Sequence, residues 1–402
     1  MFTVAKKGGK LRMVFDGRGP HACFNTHAKS FLSTSTALTN IRLDKSQLLG
    51  PADDDERPLN GVIIALDLMD SFYLFAWQGL APYFAFEHAY PASEFGITNA
   101  FDEAGRPVAV APDDLVFACL ETLTMGSSWS LYFCHSVRSR AMRFALVQLG
   151  LSQQQVVQQL AVDGRPAPSL GLSRPIAAPY VDNANGLCWD CTDAANYLRA
   201  LVDVLSGWNL SFRVECRGEL GWDTIGLSID LDLKVITNKG RRVWLLRGAI
   251  VALISQGRCS VNALRIVVGH IAYCVQLCRP VLSVLRATYR FVYEYPEQVF
   301  DLNEFVLAEL GVIAALLPVI YHDSAPILND TVYVSDASLH GFAFLCCEPG
   351  PDTIDSLVLA REWWRFKDER PGPPVTLGTE NDEPKVPAQQ AVCLAGEGTF
   401  AK

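Results

Sequence analysis

Val62-Ile63-Ile64-Ala65-Leu66-Asp67-Leu68-Met69-Asp70-Ser71-Phe72-Tyr73 opens with five consecutive apolar residues and then mixes carboxylates with apolar and aromatic groups. The five apolar residues follow an acidic, Pro-bounded loop at 51–58 and read as a strand buried on both faces, ending at Asp67. A carboxylate at the end of a buried strand is a candidate functional group.

A second carboxylate sits in an equivalent place. Residues 175–181 read as a strand leading into Asp182-Asn183, whose short polar side chains favour a hairpin turn. Thr192 is the expected cap of the next helix, on which Leu198, Leu201, Val202 and Leu205 recur at i, i+3, i+4 and i+7 as one apolar face. Between the two carboxylates, the turn-rich stretch 96–112 reads as an insertion. Asp113-Asp114 are the expected cap of a helix running toward Thr124, and 152–160 reads as a polar, Gln-rich helix. Upstream, 3–7 and 11–15 form a hairpin about Gly8-Gly9. Downstream, strands are expected near Phe212 and at 225–229, Arg-rich helical structure over 239–280, and a further helix over 301–320. A strand at 331–335 ends at Asp336, followed by a turn at His340-Gly341 and a strand at 342–347. Beyond Pro371 the pattern loses its periodicity and reads as a disordered tail.

With 402 residues, 50% of them hydrophobic and 19% charged, the chain is expected to fold into several subdomains. The apolar stretch 305–320 contains Glu309 and Pro318 and is shorter than the ~20 residues a bilayer crossing needs, so it reads as a buried helix and no membrane partner is expected. The first residues lack an apolar core of signal-peptide length, which makes an intracellular location, cytoplasm or nucleus or both, the expectation. Cys188 and Cys191 have a metal-like spacing, but no second pair follows, which argues against zinc. The histidines show no catalytic or metal spacing. A net charge of −9 runs against nucleic-acid binding. The acid is concentrated at 53–56 and 380–383, however, while Lys6, Lys7, Lys10 and Arg12, and again Lys239, Arg241, Arg242 and Arg247, form basic clusters.

Taken in order, several of these stretches resemble motifs of one enzyme family. Residues 65–73 look like the first catalytic motif of reverse transcriptases: an apolar strand, an Asp, and an aromatic five positions later. Tyr180-Val181-Asp182-Asn183 resembles the Tyr-x-Asp-Asp hairpin of the same enzymes. Residues 123–133, with Gly126, are similar to the Gly- and Ser-containing motif beneath template–primer and nucleotide. Residues 10–18 look like the fingers motif that grips the triphosphate, and 224–230 like the primer grip. Val332-Tyr333-Val334-Ser335-Asp336-Ala337-Ser338 with Gly341 is similar to the start of the RNase H domain of gypsy-like and tyrosine-recombinase retroelements.

The resemblance implies an α+β fold, a right-hand polymerase of fingers, palm and thumb followed by a partial RNase H-like α/β segment. Its expected divisions are partial fingers at 1–60, palm with finger insertions at 61–232, thumb at 233–290, connection at 291–328, partial RNase H-like segment at 329–372 and tail at 373–402. The implied function is RNA-directed DNA polymerisation in a retrotransposon, with RNA template, DNA primer and dNTP as partners; protein partners are left open. Phosphoryl transfer of this kind uses two cations, so Mg2+, or Mn2+, is the expected cofactor, held by Asp67, Asp182 and Asn183. Lys6, Lys7, Arg12, Asp70, Phe72 and Gly126 would surround the nucleotide, with Phe72 as the ring that collides with a ribose 2′-hydroxyl. Asp336 and Glu362 are the RNase H-like acids.

The chain also departs from the family. Asn183 stands where a second Asp is usual, although an amide oxygen can still coordinate. No lysine lies between Asp182 and Lys234 to protonate the leaving pyrophosphate, and Arg213 is a poor proton donor. The start lies within the fingers hairpin and few residues follow Asp336, so truncated ends and no RNase H activity are expected. The alternative is a degenerate or domesticated copy that binds nucleic acid without catalysis.

Overall fold

The computed structural model describes residues 2–5, 9, 11–15, 23–41, 43, 61–102, 105–326, 329, 331–337, 342–350 and 353–354. The N-terminal hairpin is present: β1 (Phe2–Ala5) pairs antiparallel with β2 (Leu11–Val14). Lys6, Lys7, Lys10, Glu362, the acidic loop and the tail lie outside the described residues. A short helix, α1 (Ser35–Thr39), precedes β3 (Val62–Leu68), the apolar run on which the fold was read.

The insertion after β3 contains two 3-10 turns (Ser71–Leu74 and Gln78–Tyr83), β4 (Ala85–Pro91), α2 (Ala92–Phe95), the hairpin of β5 (Asn99–Phe101) with β6 (Pro107–Ala109), and β7 (Leu115–Cys119). The helix expected from Asp113-Asp114 toward Thr124 is therefore a strand, paired with β4. Leu-Val-Phe-Ala-Cys has β-prone side chains and alternating exposure, and Asp114 closes a turn by accepting from the Ala111 N–H at 2.7 Å instead of capping a helix.

A long helix, α3 (Ser128–Gln148), comes next, then α4 (Gln153–Gln158), whose Ser152 and Gln155 form a capping box. β8 (Ile176–Tyr180), β9 (Asn183–Cys188), α5 (Cys191–Gly207) and β10 (Phe212–Glu219) complete the first layer. The cap of α5 is Asp190, not Thr192: the Asp190 carboxylate accepts from the N–H groups of Thr192 and Asp193. Thr192 already lies inside the first turn.

β3 is an inner strand of an antiparallel sheet in the order β10-β3-β9-β8. Its side chains alternate between two cores, as strand geometry requires. Val62, Ile64, Leu66 and Leu68 pack with Met142, Leu146, Tyr197 and Leu201 from α3 and α5. Ile63 and Ala65 face the other way, into the largest core cluster. Gly186, opposite Ile64 on β9, makes the first packing possible. A Cβ there would lie 2.8 Å from Ile64 Cγ1 and 2.9 Å from Tyr197 Cε1, so only glycine lets α5 close on the sheet.

The second layer begins with β11 (Gly221–Thr224), β12 (Leu227–Asp230) and β13 (Val235–Asn238). It continues through α6 (Gly240–Gln256), β14 (Arg258–Ser260), α7 (Val261–Cys274), a kinked segment at Val275–Leu285, α8 (Arg286–Glu294), β15 (Val299–Asp301), α9 (Glu304–Leu316) and β16 (Tyr321–Asp323). β16 returns to pair with β13, giving a sheet in the order β11-β12-β13-β16 that runs across the expected division at 232–233. The expected helical stretch 239–280 is thus two helices split by β14, and the helix expected at 301–320 is α9, capped by Asn303. Residues 261–294 are apolar and long enough to cross a membrane by length and composition. That stretch breaks at Cys278, and Val261, Leu264, Val268 and Ile271 belong to the largest core. A hairpin of β17 (Val332–Ala337) and β18 (Phe342–Cys347) follows, as read from the sequence.

Candidate active site

The antiparallel register sets four polar groups in one row across the first sheet. Arg213 on β10 lies opposite Asp67 on β3, Asp67 opposite Asn183 on β9, and Asn183 opposite Tyr180 on β8. Residues directly opposite in such a ladder share a face, so the pairing alone brings the two candidate stretches together. The β8–β9 connection has only two central residues, Val181 and Asp182, so the turn lies one residue earlier than Asp182-Asn183. Val181 adopts φ +50°, a left-handed conformation that is strained for a β-branched residue. The Leu68 N–H donates to the Asp182 carbonyl at 3.0 Å, tying the turn to the end of β3.

Asp67 is only partly exposed, and its carboxyl is pushed up to about 6. Burial is the largest cause; the charges of Asp182 and Glu215 add to it, and Arg213 and Arg138 oppose it. Arg213 Nη2 stands 3.7 Å from Asp67 Oδ2 and also pairs with Glu215. Two neighbouring carboxylates offer hard oxygen donors and a net negative field, which fits a hard divalent cation. Asn183 Nδ2 donates to Asp182 Oδ1 at 3.0 Å, so the amide acts here as a neutral neighbour that orients the carboxylate. Among the described residues there is no cluster of three or more His, Cys, Asp or Glu arranged to hold a metal ion. Cys188 is buried and its thiol is pushed up by desolvation, while Cys191 is exposed at the start of α5.

Beneath the carboxylates lies Arg138, on α3 and fully buried. Its Nη2 donates to the Asp182 carbonyl at 2.6 Å. Burial draws its guanidinium down to about 10, against the opposing pull of Asp182 and Asp67. Cys134, one turn earlier on α3, is also buried; desolvation pushes its thiol up to about 12 although Ser71 hydrogen-bonds to it. Tyr180 is raised by burial and then by Tyr273 of α7 and by Asp182, so α7 comes close to this hairpin. Tyr273 also donates its hydroxyl to the Ile225 carbonyl, and Arg242 lies over its ring at 4.3 Å, fastening the β11–β12 turn to α6 and α7.

The remaining candidates are spread around this centre. Asp70 is exposed, adopts φ +49° and opens the 3-10 turn that bears Phe72. Phe72 is half-buried against a small cluster of Leu80, Phe84 and Leu123, so its ring is a packed group as well as a candidate wall of the site. Gly126 precedes α3 with φ +114°, and a Cβ there would fall 2.3 Å from the Phe15 carbonyl oxygen. Its immediate role is thus to let the segment after β2 dock, where the Phe15 N–H also donates to the Met125 carbonyl at 3.1 Å. Arg12 and Asp336 have their backbones in β2 and β17, opposite Val4 and Ala343; their side chains lie outside the described residues.

Arg138 and Glu215 were not found from the sequence. For Arg138 a signal existed: Cys134, Ala141, Met142 and Ala145 make a buried stripe on α3, and an arginine at helical spacing within it is an anomaly worth following.

No family model matches the sequence, and none of the curated proteins does. Among solved structures, the chain is similar to the foamy viral protease-reverse transcriptase in complex with double-stranded DNA, at 14% identity and a TM-score of 0.47, over 84% of this chain and 46% of that one. It is also similar to the foamy viral protease-reverse transcriptase in complex with an RNA/DNA hybrid, at 12% identity and a TM-score of 0.47, over 91% of this chain and 42% of that one. The chain spans less than half the length of these two proteins. The likeness is distant and concerns fold.

Proposed function

We propose that the chain is an RNA-directed DNA polymerase of retroelement type, extending a primer 3′-hydroxyl at a metal site built on Asp67 and Asp182. The observation that carries this reading is the junction of β3 with the β8–β9 turn. Two carboxylates distant in sequence are brought together by sheet register, and the repulsion between them is part of what lifts Asp67. Mg2+, or Mn2+, bound there would activate the primer hydroxyl and offset charge on the leaving pyrophosphate. Asn183 holds the Asp182 carboxylate through its amide, and Arg213 supplies a cation beside Asp67. Phe72, held by Leu80, Phe84 and Leu123, would bar a ribose 2′-hydroxyl. Lys6, Lys7 and Arg12 would neutralise the triphosphate of the dNTP, an RNA template and DNA primer would be the macromolecular partners, and the site of action would be intracellular. The hairpin at 332–347 would belong to an RNase H-like segment of gypsy or tyrosine-recombinase type.

Primer extension on an RNA template, with either metal, tests the reading. Wild-type protein is expected to extend and Asp67→Ala to lose extension by about a thousandfold or more, the scale of removing a group that acts directly on transition-state charge. A second reading, a copy that binds primer–template without turnover, is favoured by Asn183 in place of a carboxylate and by the absence of lysine between Asp182 and Lys234. Retained primer–template binding with no extension by the wild type in either metal would select it.

A further inference from the structure

We infer that Arg138 is a positioning residue that, from inside the core, holds the Val181–Asp182 turn and so aims the Asp182 carboxylate at Asp67. The inference deepens the proposed function and rests on its assignment of Asp67 and Asp182 to the metal site.

The turn needs a holder. Its first central residue is a valine at φ +50°, a position where glycine or asparagine would be at ease, so the local sequence does not favour the conformation that the site requires. Two donors converge on the Asp182 carbonyl, the Leu68 N–H at 3.0 Å and Arg138 Nη2 at 2.6 Å. One comes from the strand bearing Asp67 and the other from the helix behind it. The turn is thereby fixed in two directions.

A fully buried arginine is costly to desolvate, and Arg138 carries that cost without full satisfaction: its Nε and Nη1 have no hydrogen-bond partner among the described residues. An apolar side chain would serve the core at least as well, since Ala141, Met142, Ala145 and Leu146 of the same helix belong to the apolar cluster. What an apolar residue would not supply is a charged donor to the Asp182 carbonyl and a positive charge beneath the two carboxylates. Both properties point at the turn, not at the packing of α3. Arg213 and Asn183 act on the carboxylates from the sheet's face; Arg138 acts on the backbone that carries one of them.

The test compares Arg138→Met, which keeps the bulk and removes the donor, with Arg138→Lys and wild type. Hydrogen–deuterium exchange is followed on peptides covering 62–69 and 176–188, and Mn2+ affinity by calorimetry. Arg138→Met is expected to speed exchange at these two stretches by about tenfold or more, as loss of a charged hydrogen bond implies, while peptides of α5 and α9 keep their protection. Arg138→Lys should recover part of it. Mn2+ affinity should fall in the same order. Adding Val181→Gly, which removes the left-handed strain, should restore protection to the Arg138→Met turn; this second variant also decides the matter if Arg138→Met alone is poorly folded. Unchanged exchange at 176–188, or loss of protection spread evenly over the chain with no rescue by Val181→Gly, overturns the inference. Should wild type bind no Mn2+ and extend no primer, the metal-site reading fails, and the exchange pattern still decides whether Arg138 holds the turn.

Discussion

Asp67 has an ordinary carboxyl value of 3.8 and sits near 6 in the fold. The folded state therefore binds its proton more tightly than the unfolded chain, and the stability that protonation contributes is present below about pH 4 and lost as pH rises through about 6. Ionised Asp67 strains the metal-free fold at neutral pH. Asp67→Asn, measured by urea unfolding with a chelator present, is expected to stabilise the protein by about 1–3 kcal/mol at pH 7, toward the lower figure because part of the side chain reaches water, and by nothing at pH 4. An equal effect at both pH values would contradict the assignment. Gly126 makes a second prediction at this scale. Gly126→Ala forces a Cβ onto the Phe15 carbonyl at a left-handed φ, and a loss of about 2 kcal/mol or more is expected in urea unfolding. The two carboxylates were legible as residues because each follows an apolar run. The groups that tune them, Arg138, Arg213 and Glu215, act across 44 residues or more of sequence and become neighbours only through strand register and helix packing.

Elements whose sequence carries a period, or a turn signal at both ends, came out as read: β3, β8, α4, α9 and the β17–β18 hairpin. The failures have local physical reasons. At 113–119 a pair of aspartates suited either a helix cap or a turn, and the β-prone residues after them settled it in favour of β7 against the open edge of β4. For α5, two candidate caps stood two residues apart. Asp190 serves because its backbone is still extended there, at φ −149°, leaving its carboxylate free to reach back to two helical N–H groups. Asp190→Ala is expected to cost about 1 kcal/mol in thermal unfolding, with Thr192→Ala costing less. A larger loss from Thr192→Ala would reverse the assignment. α3, the longest unbroken α-helix among the described residues, was not read at all. Its buried face mixes Ser130, Cys134, His135, Arg138, two alanines and Met142 with a single large aliphatic residue, Leu146, so its hydrophobic stripe is faint.

At the scale of the molecule, one core cluster joins Ile63 and Ile176 of the first sheet to Ile250, Ile271, Leu310 and Ile313 of α6, α7 and α9. These three helices therefore share a core with the first sheet, and substitutions in either should unfold both together. The β17–β18 hairpin differs: Tyr333 and residues 343–348 are exposed. Replacing Tyr333 and Phe344, which stack on one another, by serine is expected to leave the melting temperature within about 2 °C of wild type; a larger drop would mean that the hairpin buttresses the core. The net charge of −9 sits unevenly over this body, for α3 and α6 carry three arginines each and no acid. Gly186 has a consequence that reaches beyond packing. Sliding β9 by one residue would turn Asn183 and Asn185 toward the core formed with α3 and α5, a polar penalty. Volume forbids the slip as well: only the residue without a side chain fits between Ile64 and Tyr197, so Gly186 works as the key that indexes one strand against the other. Three positions upstream, that index sets Asn183 beside Asp67, and the Asp182 turn follows. A chain misaligned by one notch would still look folded by its secondary structure, yet it would have no site.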